Sequence, residues 1–175
     1  GDRPYYYKVI KKGSKDKYYV YYDEVFDKLR WTYYKDNNYV HESLSTSGNT
    51  GSGKANTEIV MAKDSGTYVT PDSNRTSTIW YRLQQVRSDK GTGCDDWFVP
   101  SIDELELLRL AIKSGSVTGG IVAGSSYNKS IFNNKWLWSS SEFLSQRAWY
   151  WHHVHQCWDG GNKGLDSSVI FTRAF

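Results

Sequence analysis

The segment from residue 136 to the C-terminus constrains this chain more than any other. It runs Trp136-Leu-Trp-Ser-Ser-Ser-Glu142, then Ala148-Trp149, then a glycine-punctuated stretch that closes on Val169-Ile-Phe-Thr-Arg-Ala-Phe175. Tryptophans recur as bulky posts, and between them stands an irregular mix of His, Tyr, Cys, Asp, Asn and Ser. Side chains of that size bury large areas and need an acceptor for the indole N–H, so the posts belong to a framework. The residues between them follow no such rule. Catalysis needs a few defined groups at defined distances, which this mix does not supply. A binding surface, with an apolar scaffold and outward positions free to differ, accounts for the pattern.

The rest of the composition narrows the class. A length of 175 residues points to a single domain, 1–175, with opening strands in about 1–50. That length can enclose a sizeable core. Only 38% of residues are hydrophobic, so 14 Tyr and 8 Trp must carry much of the burial, each keeping a polar handle suited to half-buried positions. Lys8, Lys11, Lys12, Lys15 and Lys17 read as a solvated hairpin, since no RNA- or DNA-binding motif accompanies them and the net charge is only +3. No nucleic-acid partner is expected. No apolar run is long enough to span a membrane and no export signal is visible, so membrane insertion is not expected either. Cys94 and Cys157 do not make a disulfide framework, and they read as independent thiols unless the fold brings them together.

Local patterns predict the elements. Tyr5 to Ile10 and Tyr18 to Tyr22 read as two strands of a hairpin, and Val25-Phe26 and Leu29 to Tyr34 as further strand. Residues 43–55 read as a Gly/Ser loop. Ile79, Trp80, Leu83 and Val86 predict a helix over Thr78 to Arg87 with Ser77 as its N-cap. Ser101-Ile-Asp-Glu104 is a capping box before an apolar face of Ile102, Leu105, Leu108 and Ile112, widened by Leu107 and Ala111. Short β-type segments follow. The order β, α, α, β predicts an α+β domain with antiparallel strands.

Several spaced motifs then coincide: Gly51-Ser-Gly-Lys-Ala-Asn-Thr57, Asp96-Trp-Phe-Val-Pro-Ser101 leading into Ile102-Asp-Glu-Leu105, Trp138-Ser-Ser-Ser-Glu142 before Ala148-Trp149, and the closing Arg173-Ala-Phe175. In this order the set, about residues 50–175, resembles the C-type-lectin-like domains of the Lcl-type adhesin family. It most resembles the variable proteins of diversity-generating retroelements, which include phage tropism determinants. The resemblance implies a C-type lectin-like fold, with two helices, a twisted antiparallel sheet and long loops. It also implies a binding function without catalysis or cofactor. In such retroelement members, template adenines are copied with errors near the 3′ end of the gene. AAC or AAT codons can then become Asn, Asp, His, Tyr, Ser, Gly, Cys, Arg, Leu or Phe, but not Trp, Lys, Glu or Gln. Within about 143–168, Tyr150, His152, His153, His155, Cys157, Asp159, Asn162, Leu165, Asp166 and Ser167 fit that set and are the implied ligand contacts. Trp149, Trp151, Trp158 and Lys163 do not, and fall to the scaffold. The implied partner is a macromolecule, protein or glycan, met at a virion surface or outside a cell. Ile170, Phe171 and Thr172 interrupt the usual ending of the family, which leaves the strand register after Trp149 open.

Other readings of the same residues are weaker. Trp136, Trp138 and Trp149 read as core posts, and Ser139 to Glu142 as a corner whose hydroxyls and carboxylate satisfy backbone donors, rather than as a nucleophile site. His152-His153-x-His155-x-Cys157 holds zinc-ligand residue types, but strand neighbours on one face stand too far apart to chelate without a bend, so no metal is expected. Trp158-Asp-Gly160 lacks the Pro-centred acid/amide triplet of calcium-dependent sugar sites, since Pro4, Pro71 and Pro100 lie elsewhere. Gly51-Ser-Gly-Lys54 lacks the spacing of a phosphate loop. Two alternatives stay open: an adhesin or fibre domain of the same fold without programmed variation, and a formylglycine-generating-type oxidase, which needs a reactive cysteine pair where only Cys157 stands.

Overall fold

Both ends of the described chain enter one sheet. The computed structural model describes residues 5–10, 17–22, 27–32, 34–35, 38–39, 43–49, 52–64, 78–88, 95–113, 117–118 and 127–174. The elements run β1 (Tyr5–Ile10), β2 (Lys17–Tyr22), β3 (Tyr34–Lys35), β4 (Asn38–Tyr39), α1 (Gly53–Asp64), α2 (Ile79–Ser88), α3 (Ile102–Lys113), β5 (Val117–Thr118), α4 (Tyr127–Asn134), β6 (Leu137–Leu144), β7 (Arg147–His152), β8 (Cys157–Asn162) and β9 (Phe171–Ala174). This is an α+β fold. β1 and β2 form the expected antiparallel hairpin, with Tyr5 opposite Tyr22. β9 pairs antiparallel with β2, and β5 with β1, giving the order β5-β1-β2-β9. A second antiparallel sheet has the order β6-β7-β8. Backbone bridges join the parts: Leu29 and Ser167 exchange N–H···O bonds of 2.9 Å, and Phe98 and Thr172 exchange bonds of 2.9 and 2.8 Å.

The two predicted helices form for the expected reasons. Ile79, Trp80, Leu83 and Val86 are the buried stripe of α2. Its cap is Thr78, whose Oγ1 accepts from Tyr81 N–H at 3.1 Å, while Ser77 lies outside the described residues. At α3 the capping box closes in both directions, with Glu104 N–H donating to Ser101 Oγ (3.3 Å) and Ser101 N–H to Glu104 Oε1 (3.0 Å). Leu105 and Leu108 are buried; the side chains of Ala111 and Ile112 lie outside the described residues. Leu29 and Arg30 form isolated bridges rather than a strand, and Val25-Phe26 lies outside the described residues.

Two helices correct the sequence reading. α1 begins at Gly53, inside the expected loop, because its N-terminus is capped from a distance. Gly53 N–H donates to Glu104 Oε1 at 2.8 Å, and a Cβ on Gly53 would collide with that oxygen. α4 is rich in Asn and Ser, which favour turns, yet it anchors itself by burying Ile131 and Phe132.

The core is one cluster in which tryptophans are held by their N–H groups as well as by burial. Trp80 Nε1 donates to Trp31 O (2.7 Å), Trp31 Nε1 to Ser139 O (2.9 Å), Trp138 Nε1 to Leu29 O (3.0 Å) and Trp151 Nε1 to Phe132 O (2.6 Å). Trp31 and Trp80 meet edge to face at 5.1 Å. Burying one such ring contributes on the order of 4–6 kcal/mol of transfer free energy, an upper bound.

Candidate ligand-facing surface

Strand β6 is the spine on which the C-terminal surface is built. Its residues 137–141 are buried, and the serine run is a hub of hydrogen bonds. Ser139 Oγ donates to Trp149 O (2.7 Å), Ser140 N–H to Pro100 O (2.8 Å) and Ser141 Oγ to Ser47 O (2.7 Å). Ser140 Oγ accepts from Asn56 Nδ2 (3.2 Å), and Ser141 Oγ from Ile102 N–H (3.0 Å). Glu142 accepts from Leu44 N–H (2.9 Å), Thr46 N–H (3.3 Å) and Lys163 Nζ (2.7 Å). The corner expected from Ser139 to Glu142 is therefore structural: the Ser139 and Ser141 hydroxyls are bonded to backbone groups, and that of Ser140 to the Asn56 side chain.

The register of β7 against β8 decides which side chains face out. Tyr150 pairs with Asp159, His152 with Cys157 and Ala148 with Gly161, so these share one face. Arg147, Trp149 and Trp151 share the other with Asn162, Gly160 and Trp158. At the inner end of this second face, Trp151 and Trp158 lie against α3: Arg109 stands 5.2 Å from the Trp151 ring centre, and Trp158 Nε1 donates to Glu106 (2.7 Å). At its outer end Phe143, 43% exposed, meets the half-buried Trp149 edge to face at 4.6 Å.

Two of the expected contact residues are corrected. Tyr150 is only 6% exposed, because its ring lies between Trp138, Trp136 and Gly161. Gly161 makes this possible, since a Cβ there would stand 2.7 Å from the Tyr150 ring. Burial first, then the Asp159 and Cys157 charges, push the Tyr150 phenol above its ordinary pKa. Ser167 is 4% exposed, held by its backbone exchange with Leu29.

The other expected contacts are accessible. His155, Cys157, Asp159, Asn162, Leu165 and Asp166 are exposed, and His152 and His153 are half-buried. The turn 153–156 between β7 and β8 is tied in place. His152 Nδ1 accepts from His155 N–H (3.2 Å), the two rings stack at 4.2 Å, and Trp136 stacks under His152 at 4.9 Å. Gln156, at φ 52°, donates to Phe132 O and His153 O. Beyond β8, Asn162 Oδ1 accepts from Gly164 N–H (2.8 Å), and Asp166 pairs with Arg30 at 3.3 Å. Cys157 is a free, exposed thiol, and Cys94 lies outside the described residues.

The residues assigned to scaffold divide. Trp151 and Lys163 are fully buried, while Trp149, Trp158 and Trp136 are half-buried. Sequence reasoning missed Phe143, Leu144 and Val154, which are exposed at 43%, 58% and 64%, and the Glu106–Arg109 pair under the hairpin. It also missed a cleft of about 240 Å³ beside His153 and Asp166, lined in addition by Asp27, Lys135, Trp136 and Ser168.

Among the described residues, no group of three or more His, Cys, Asp or Glu side chains is disposed to hold a metal ion. Nor, among them, is any helix long and apolar enough to cross a membrane. No protein-family model matches the chain. A comparison with curated proteins finds no match either.

Proposed function

We propose that this chain is a ligand-binding display protein with a C-type lectin-like fold, whose C-terminal surface is varied by a diversity-generating retroelement. The observation that carries the reading is a division of labour within residues 149–166. Trp151 and Lys163, types that adenine mutagenesis of AAC or AAT codons cannot produce, are buried; six residues of types that it can produce, His155, Cys157, Asp159, Asn162, Leu165 and Asp166, are exposed; Tyr150 and Gly161, reachable but buried, and Gln156, unreachable but exposed, are the exceptions. Rigid pins under a tolerant skin lower the ordering cost of binding, as preorganised paratopes do. The joining of the first hairpin to the last strand, with helices and a second small sheet between them, supports the fold assignment. In this reading the protein works without a catalytic group or cofactor. It acts at a virion or cell surface, on a macromolecule of another cell or virion. Sequencing the DNA around the gene tests it. The expected finding is a reverse transcriptase gene and a near-copy of the 3′ coding segment that differs mainly at adenines. A locus with neither leaves an adhesin of fixed sequence.

A further inference from the structure

Strand β8 is an edge. Within its sheet it pairs with β7 alone, and among the described residues no strand lies along its other side. The register decides which of its backbone groups face that side. Lys163 N–H donates to Gln146 O at 3.0 Å, directly across the ladder. Bonded pairs alternate along an antiparallel ladder. Gly161, Asp159 and Cys157 therefore use their N–H and C=O groups on β7, while Asn162, Gly160 and Trp158 turn theirs outward. Gly160 N–H is capped locally by Asp159 Oδ1 (2.8 Å), and Asn162 C=O accepts from Leu165 N–H (3.0 Å). Trp158 N–H, Trp158 C=O, Gly160 C=O and Asn162 N–H have no partner among the described residues. They form a row with a repeat of about 7 Å, two residues of strand. Cys157, Asp159 and Asn162 are exposed and Trp158 and Gly160 half-buried, so solvent reaches the length of the strand.

The side chains beside this row select what can lie along it. On one face Gly160 leaves room for Phe143, whose ring lies across the strand: a Cβ on Gly160 would stand 2.7 Å from it. Phe143 is 43% exposed, so a residue opposite Gly160 on an added strand would set its side chain against that ring. On the other face Asp159 is exposed, with one oxygen on Gly160 N–H and no cation paired with it among the described residues. Two copies of β8 pairing about Asp159 would bring two carboxylates together, and like charges across a ladder repel. A basic side chain at the same place is attracted. The row of main-chain groups itself matches the backbone of an extended polypeptide. Trp158, with both groups unused, can exchange both bonds with one residue of an antiparallel partner.

We propose that the β8 edge takes an extended segment of a partner protein as an added antiparallel strand, with a basic residue opposite Asp159 and an apolar residue opposite Gly160. Main-chain bonds supply affinity in such pairing, and the flanking side chains supply selectivity. Substitution at 157, 159 or 162 then changes the preferred segment and leaves the backbone row in place. The inference rests on the display reading, which it deepens by making the ligand a protein segment.

The probe is the capped peptide acetyl-Thr-Val-Lys-Val-Thr-amide, titrated into the ¹⁵N-labelled chain. Saturable shifts are expected at the Trp158 and Asn162 amides, with hydrogen exchange slowed at the same two N–H groups. The peptide N-methylated at both valines lacks the donors for Trp158 C=O and Gly160 C=O and should not bind. Glutamate in place of its lysine should weaken binding roughly threefold or more, the scale of an exposed charge pair. Asp159→Lys, at an exposed position, should reverse that preference and keep the slowed exchange. The proposal is overturned by the absence of a saturable shift, by equal binding of the N-methylated peptide, or by an unchanged preference in D159K. Shifts at Trp158 and Asn162 that follow protein concentration without peptide would assign the edge to a second copy and overturn it too. A failed titration beside an intact retroelement cassette would remove strand addition and leave the display reading; peptide pairing without a cassette would do the reverse.

Discussion

The ammonium of Lys163 lies 2.7 Å from Glu142 Oε2, with both side chains buried and the Trp31 ring centre 4.3 Å from the same nitrogen. The pair ties three stretches together. Glu142 holds the backbone at Leu44 and Thr46, and the Lys163 carbonyl accepts from Trp31 and Thr32 N–H, both at 3.0 Å. A buried ion pair adds little net stability against an apolar substitute, but removing one partner strands the other charge. We predict that Lys163→Met costs about 3–5 kcal/mol, and that Lys163→Met with Glu142→Gln costs clearly less than the sum of the singles. A urea-denaturation cycle over the four proteins measures this; additive losses would contradict it.

The adjacent glycines of β8 should differ in their response to a methyl group. At Gly161 a Cβ meets the buried Tyr150 ring at 2.7 Å, and that ring is wedged against Trp138. At Gly160 it meets Phe143, also at 2.7 Å, but Phe143 is exposed and can turn away. Gly161→Ala is expected to cost about 1–3 kcal/mol, as overpacking does, and Gly160→Ala less. Thermal melts of the two variants give the order directly.

Glu106 couples the hairpin to α3 and makes that coupling pH-dependent. Hydrogen bonds from Arg109 hold its carboxyl below the ordinary value of 4.5; burial opposes them, and the Trp158 N–H adds to them. A carboxyl with a depressed folded pKa contributes stability above its unfolded pKa and loses it as pH falls through the folded one. Glu106→Gln should therefore be less stable than the parent at pH 7, and the gap should close as pH is lowered below 4.5. A gap that is constant through the acid range would show that the charge plays no part.

Cys157 is exposed and unpaired, so it should react with a thiol reagent in the native protein. Cys157→Ser should react with one equivalent less and melt as the parent does, within about 0.5 kcal/mol. A marked loss of stability would show that the thiol is packed or bonded.

What the sequence made legible was local. The stripe of α2 and the box that opens α3 lie within a few residues of one another, so spacing was enough to find them. α1 was hidden because Glu104, which caps Gly53, stands 51 residues away. The surface was legible in composition but not in direction. Codon type singles out Tyr150 as readily as Asp159, yet a tyrosine diagonal to Gly161 on the same face and beside Trp138 has somewhere to bury its ring. The glycine pair was the available signal: Gly160-Gly161 marks the place where rings from β6 and β7 lie across β8. Ser167 could not be placed at all without its bridge to Leu29.

Residues 152, 153, 155, 157, 159, 162, 165 and 166 would be randomised together to the side chains reachable from AAC or AAT codons. A matched library would randomise the buried positions 148, 150, 151 and 161. Folding of several hundred clones on a display host, read by protease resistance, should show most of the first library as resistant as the parent and nearly all of the second degraded. Equal loss in both libraries would mean that the outer residues help hold the fold, and the account of a fixed frame beneath a variable surface would be wrong.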